Sequence, residues 1–280
     1  MTATDLLIVT SFNRPEMLFL CLEHLRACPE LDECVVEIWI DRAANGDVDA
    51  DVRDVAASLI HPAKKVMIPM PCALDQVKPN YVAPYALARA YYRSRCRYVI
   101  LVEDDIMVSP DFIRYHRTAQ ELGQDFCVLG YTASGDRGNA STVHRSMCFS
   151  PWGVSWKRQS LGRFVEHFTS EYFRDIHSYV ERAFLGTGRE DAGWDGLVHR
   201  VVRRDRLTAI VPSRSRCFHA GIYGKNRRAD SRLRPGTVAE KVAELRERFN
   251  NAEWMTKDYQ DCRPCSMEVG PWEKLEVVTG

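Results

Sequence analysis

Apolar positions in the first hundred residues form short continuous runs, separated by stretches of helical spacing. Residues 6–10 (LLIVT) are an unbroken β-rich run, as expected of a strand buried on both faces. The run ends in Ser11-Phe12-Asn13-Arg14-Pro15, where a proline can open a helix at its first turn. Met17, Leu18, Leu20, Cys21, Leu22 and Leu25 then follow at helical spacing. The alternation continues with a strand at 35–40 closing on Asp41, a helix at 48–59 and a short strand at 65–68. A helix at 84–93 and a third buried strand at 98–102 (YVILV) complete it.

Strands alternating with helices predict an α/β fold with a mainly parallel sheet flanked by helices. Ligands in such sheets bind beyond the carboxyl ends of the strands. The residues to watch are therefore 10–14, Asp41, and the Glu103-Asp104-Asp105 that follows Val102. Beyond residue 125 the pattern changes to short strands (126–130, 147–150, 209–212) and a mixed-face helix near 171–185. An amphipathic helix at 238–249 carries charge pairs four residues apart. This predicts a nucleotide-binding half (1–125), an acceptor-shaping half (126–250) and a tail (251–280) in one continuous body.

Composition adds limits. With 45% apolar and 27% charged residues, the 280-residue chain is a globular protein and not a disordered one. No stretch approaches a membrane span, and residues 1–7 lack the basic start and cleavage site of a signal peptide, so a cytoplasmic location is expected. The 10 cysteines are scattered, and buried thiols are expected over a disulfide framework. Cys262 and Cys265 form a lone C-x-x-C with no second pair to complete a zinc site. The zero net charge is a sum of unlike parts: residues 196–246 hold 13 Lys+Arg against 4 Asp+Glu, a local +9.

Three consecutive acids after a buried strand are costly unless something compensates them, because like charges this close raise one another's pKa. A divalent cation reverses that penalty, and hard oxygen ligands suit Mg²⁺ or Mn²⁺, which bridge to phosphates. Strand alternation would put Glu103 and Asp105 on one side and Asp104 on the other. The plainer alternative is an exposed acidic loop capping a helix after Ser109-Pro110-Asp111.

The segment YVILVEDDIMVSPDF, residues 98–112, resembles the Asp-x-Asp segment of metal-dependent GT-A glycosyltransferases. It is most similar to the E-D-D variant of the inverting N-acetylglucosaminyltransferase I family. The opening LLIVTSFNRPEMLFLCLEHL resembles that fold's first strand, loop and helix. Pro151-Trp152-Gly153-Val154-Ser155-Trp156 is similar to its P-G-x-G-W segment. Residues 193–200 (GWDGLVHR) resemble the W-D-D-W-M-R segment that carries the base, and 212–216 with 218–224 resemble the late arginine and glycine stretch over the donor phosphates. The second acid of W-D-D is Gly196 here, while Glu190-Asp191 resembles the E-D pair of other inverting enzymes. An anchor and stem like those of the eukaryotic family are not expected here.

The resemblance implies transfer of a sugar from a nucleotide-sugar, with UDP as the expected nucleotide, to an acceptor hydroxyl with inversion. Asp105 is then the direct ligand of Mn²⁺ or Mg²⁺, with Glu103 and Asp104 orienting ribose, water or sugar. Thr10, Asn13, Arg14 and Asp41 would meet the nucleotide, Asn13 and Arg14 having the alternative of capping the following helix. Arg214, Arg216, Lys225 and Arg227 would hold the phosphates, since guanidinium groups do so bidentately. Asp195 is the leading general base and Asp191 the second. His219 is either a further metal ligand or a hydrogen-bonded histidine; Trp152 and Trp156 either stack on sugar or pack in the core. The basic 196–246 stretch supports a competing reading as a nucleic-acid-binding protein. The two readings merge in an enzyme that glycosylates hydroxymethylated pyrimidine in viral DNA from the host cytoplasm; a glycan is the more general acceptor. A catalytically silent sugar-nucleotide binder is the third reading.

Overall fold

The computed structural model describes residues 5–43, 45–69, 82–132, 139–184, 193–221, 233–251 and 272–278. The first half follows the predicted alternation: β1 (Asp5–Ser11), α1 (Pro15–Arg26), β2 (Cys34–Ile40), α2 (Ala50–Ser58), β3 (Lys64–Met67), α3 (Val82–Arg93) and β4 (Tyr98–Glu103). The strands lie in the order β3-β2-β1-β4, all parallel. Successive residues of β1 feed opposite faces, so both must be apolar. Leu7 and Val9 pack with Met17 and Leu18 of α1 and Val52 of α2. Leu6 and Ile8 pack with Ala86 and Leu87 of α3.

The second half supplies β5 (Ile106–Val108), α4 (Phe112–Gln120), β6 (Cys127–Leu129), β7 (Thr142–Ser146) and β8 (Val154–Lys157). It continues through α5 (Gly162–Val165), α6 (Ser170–Arg174), α7 (Ile176–Ala183), α8 (Trp194–Arg204), β9 (Ala209–Pro212), β10 (Cys217–His219), α9 (Val238–Asn251) and β11 (Glu276–Val277). Strand β8 runs antiparallel to both β4 and β6, which joins the two halves in one sheet. Among the described residues that sheet has nine strands in the order β11-β7-β9-β6-β8-β4-β1-β2-β3, and β5 pairs separately with β10. This is a mixed, mainly parallel sheet flanked by helices. No helix among the described residues is long and apolar enough to cross a membrane.

Two expectations are corrected. Residues 147–150 are not a strand: Met147 is exposed, and the strands lie on either side, at β7 and β8. The apolar run there misled because β7 (TVHRS) is half-solvated and carries little hydrophobic signal. The single helix near 171–185 is two, α6 and α7. Asp175 ends the first and caps the second by accepting the Ser178 N–H at 3.1 Å.

Candidate active site

The site forms where β1 and β4 end side by side. Thr10, buried in β1, lies opposite Glu103, the half-buried last residue of β4. The Asp104 N–H donates to the Thr10 carbonyl at 2.9 Å, and the chain turns over Asp104 and Asp105 before re-entering as β5. Both acids are buried. The turn overturns the strand alternation expected for them: both carboxylates converge on Arg14. The Arg14 guanidinium donates through Nη1 to Asp105 Oδ2 at 2.6 Å and through Nη2 to Asp104 Oδ1. The Ser11 hydroxyl donates to Asp104 Oδ2 at 2.7 Å.

Strand β5 explains how a residue more than a hundred positions away joins this turn. It pairs antiparallel with β10, placing His219 opposite Ile106, and the Ala220 N–H donates to the Asp105 carbonyl at 2.7 Å. His219 Nε2 therefore lies 3.2 Å from Asp105 Oδ2. Trp152 stacks on the His219 ring at 4.8 Å and 18°, and Tyr131 meets Trp152 edge-on at 4.8 Å. Trp156, in contrast, is a core residue with no exposure.

These contacts split the acids. Burial disfavours the Asp105 carboxylate, but Arg14 and His219 outweigh it and hold the carboxyl well below the usual range. Burial and the neighbouring Asp105 push Asp104 upward despite Arg14. Arg14 is raised in turn, the two carboxylates overcoming its own burial. One atom is left over: Asp105 Oδ1 is buried and has no hydrogen-bond partner. Among the described residues no three His, Cys, Asp or Glu side chains are grouped to hold a metal ion.

The other sequence candidates are distributed unevenly. Asp41 is buried at the end of β2, its N–H on the Ser11 carbonyl at 2.8 Å and its Oδ1 accepting the Arg42 N–H at 3.2 Å. Asn13 is exposed between β1 and α1. Arg14 stands at the N-cap position of α1, but its side chain makes no cap hydrogen bond. Asp195 is half-buried in the first turn of α8. Arg214, between β9 and β10, is half-buried with Nε unpartnered. Asp191, Lys225, Arg227, Cys262 and Cys265 lie outside the described residues.

Arg216 is not in the cleft. Its side chain has no exposure, its Nε donates to Asp111 Oδ2 at 2.9 Å, and its other nitrogens donate to the carbonyls of Arg214 and Ala140. With those donors spent inside the core, the phosphate role expected from sequence does not apply to it. Within the basic 196–246 stretch Arg200 is buried, while Arg204 and Arg246 are exposed and pair with Asp205 at 2.7 Å and Glu23 at 2.5 Å. Sequence reading placed Ser11 and Gly221 inside the windows 10–14 and 218–224 without giving either a role, and missed the Trp152–His219 stack. The G in HAG was the available signal, and a β-carbon there would strike Asp105.

The GNT-I family model matches residues 75–152, a stretch that contains β4, the acid turn and Trp152. No curated protein sequence matches the chain. Among solved structures, the chain is similar to an active-site mutant of LgtC (11% identity, 86% of this chain and 95% of that one, TM-score 0.49). It is similar also to the galactosyltransferase LgtC in complex with donor and acceptor sugar analogs (12% identity, 70% of each chain, TM-score 0.44). A third is S. aureus TarS (12% identity, 89% of this chain and 72% of that one, TM-score 0.45). The family match falls on the acid turn, and the parallel β3-β2-β1-β4 order places that turn at the carboxyl edge of the sheet.

Proposed function

We propose that the enzyme transfers a sugar from a nucleotide-sugar, with UDP as the nucleotide, to a hydroxyl of a glycan acceptor, with inversion and with the help of Mn²⁺ or Mg²⁺. The observation that carries this reading is the leftover Oδ1 of Asp105. A buried, ionised carboxylate oxygen without a partner is costly. A hard cation needs only one or two protein carboxylates when substrate phosphates and water complete its shell. The residues present therefore fit such an ion, with Asp105 holding it and His219 beside it. Gly221 lets the backbone pass close against Asp105 and His219, where a β-carbon would strike both. When bound, the ion supplies charge stabilisation for the departing diphosphate.

The chain's own residues do the rest. Asp41 and the turn at 11–14 flank the carboxyl end of β1, where the nucleotide would lie. Glu103 and Asp104 orient the donor at the end of β4. Arg214, with its unpartnered Nε, and Lys225 hold phosphate oxygens. Asp195 takes the proton of the acceptor hydroxyl as its oxygen bonds to the anomeric carbon; the bond from that carbon to the diphosphate oxygen breaks on the opposite face. Asp191 is the second candidate for the base. A glycan is preferred to DNA because part of the basic stretch is already buried or ion-paired.

The test is release of UDP from UDP-sugars with Mn²⁺, followed by an acceptor screen read by mass spectrometry. Activity in the native protein that disappears in Asp105→Ala supports the reading. A folded native protein that binds neither nucleotide nor Mn²⁺ overturns it.

A further inference from the structure

We propose that Arg14 is a positioning residue that acts as a resident counter-cation: it holds Asp104 and Asp105 in place and keeps the acid turn from binding a divalent ion tightly on its own. The inference rests on the reading of Asp105 as the seat of that ion and adds what this chain does before the ion arrives. Four carboxylate oxygens are at stake. Arg14 takes Asp104 Oδ1 and Asp105 Oδ2, Ser11 takes Asp104 Oδ2, and His219 shares Asp105 Oδ2. Only Asp105 Oδ1 remains, and it is buried.

Two buried carboxylates in one turn repel each other, so the turn needs positive charge to keep its shape. The bidentate guanidinium provides it from a fixed direction. Its backbone stands at the N-cap of α1, and Pro15 at the first position of that helix fixes the chain on one side. The same charge opposes a dication at the free oxygen, because like charges repel and the site is shielded from water. Arg14 thus does two opposite things. It stabilises the empty site, and it weakens the site for a metal that comes without the donor. A nucleoside diphosphate brings the anionic charge that makes the two cations compatible, so ion and donor bind in a coupled manner.

The experiment measures Mn²⁺ affinity of the whole chain without nucleotide, by calorimetry or by the loss of the free Mn²⁺ electron paramagnetic signal. Arg14→Met and Arg14→Lys are compared with the native protein, and melting temperature in EDTA is read alongside. The expected result is that Arg14→Met binds Mn²⁺ at least about tenfold more tightly, yet melts lower in EDTA. A general structural defect would not give those opposite signs. Arg14→Lys, which keeps the charge, should stay within about threefold of native affinity, because the repulsion comes from the charge itself. Unchanged or weaker Mn²⁺ binding in Arg14→Met overturns the inference, as does Arg14→Lys binding as tightly as Arg14→Met. If Arg14→Met fails to fold, Arg14→Lys still decides by that threefold limit. Absence of Mn²⁺ binding in all three proteins, with UDP present as well, overturns the metal reading and this inference together.

Discussion

A β-carbon on Gly221 would lie 2.6 Å from Oδ2 of Asp105 and 2.8 Å from Cε1 of His219. Neither neighbour can step aside cheaply. Asp105 is buried and held by Arg14, and the His219 ring is stacked on Trp152. Gly221→Ala must therefore push the two apart. Overpacking of this kind costs roughly 1–3 kcal/mol, a modest change in melting temperature. A misplacement of about 1 Å at reacting groups can cost on the order of a hundredfold in rate. The expected outcome is a folded variant with turnover reduced by about ten- to a hundredfold, checked by UDP release alongside a melting curve. Native turnover would mean that the Asp105–His219 contact has no part in the chemistry.

The end of the described chain is tied to the same region through one carboxylate. Asp111 Oδ2 accepts the indole N–H of Trp272 at 2.6 Å and the Arg216 Nε–H at 2.9 Å, while its Oδ1 accepts the Ser109 hydroxyl at 2.6 Å. Trp272→Phe keeps a ring but loses a hydrogen bond to a charged acceptor, an expected cost of about 1.5–3 kcal/mol. Asp111→Ala should cost more, about 3–5 kcal/mol, because it strands the Arg216 charge in the core. Urea unfolding of the two variants checks the order. Equal costs would show that Arg216 does not depend on Asp111.

Much of the fold is legible in the sequence because burial on two faces leaves an unmistakable run, as in β1 (DLLIVTS), and because α1 places its buried residues at helical spacing. Strands β5 and β10 are not legible. Each is three residues long, and what defines them is their mutual pairing. The same holds for the site. Three acids after a strand point to a charge problem, and the sequence shows where it lies. Which cation answers it depends on a turn that aims Asp104 and Asp105 at one guanidinium. Arg216 shows the converse: an arginine beside a cleft reads as a ligand until Asp111, far away in sequence, is seen to hold it.

His116 makes stability depend on acid. It is buried, its Nδ1 is 2.8 Å from the Ser155 hydroxyl oxygen, and its Nε2 has no partner. Burial first, and Arg216 second, lower its pKa from 6.5 to about 3. The unfolded chain takes up a proton below its ordinary value, while the folded chain resists until near the lowered one. Stability from this group is thus intact above about pH 6.5 and falls as pH drops towards about 3, by roughly 1.4 kcal/mol per pH unit at most. His116→Gln should unfold with a shallower acid dependence than the native protein, whatever its stability at neutral pH. Urea midpoints at pH 7 and pH 4.5 measure it, and parallel curves for the two proteins would exclude His116 as a source of the slope.

Asp195 is placed by its neighbour. Trp194 is buried and meets Phe149 edge-on at 5.9 Å, while Leu197, Val198 and Val201 seat the rest of α8 in the core. The first turn of that helix is thereby fixed, and a fixed carboxylate is what a general base requires. If Asp195 accepts the acceptor's proton, Asp195→Asn keeps the shape and removes the basicity. Turnover should fall by about a hundred- to ten-thousandfold, with donor affinity unchanged, because a group used only in the transition state lowers kcat without weakening ground-state binding. Asp191→Asn should then retain most of the turnover. The reverse result, with Asp191→Asn inactive and Asp195→Asn near native, would move the base to Asp191. Nuclear magnetic resonance of the product's anomeric centre completes the test, since a single displacement assisted by either carboxylate inverts the configuration.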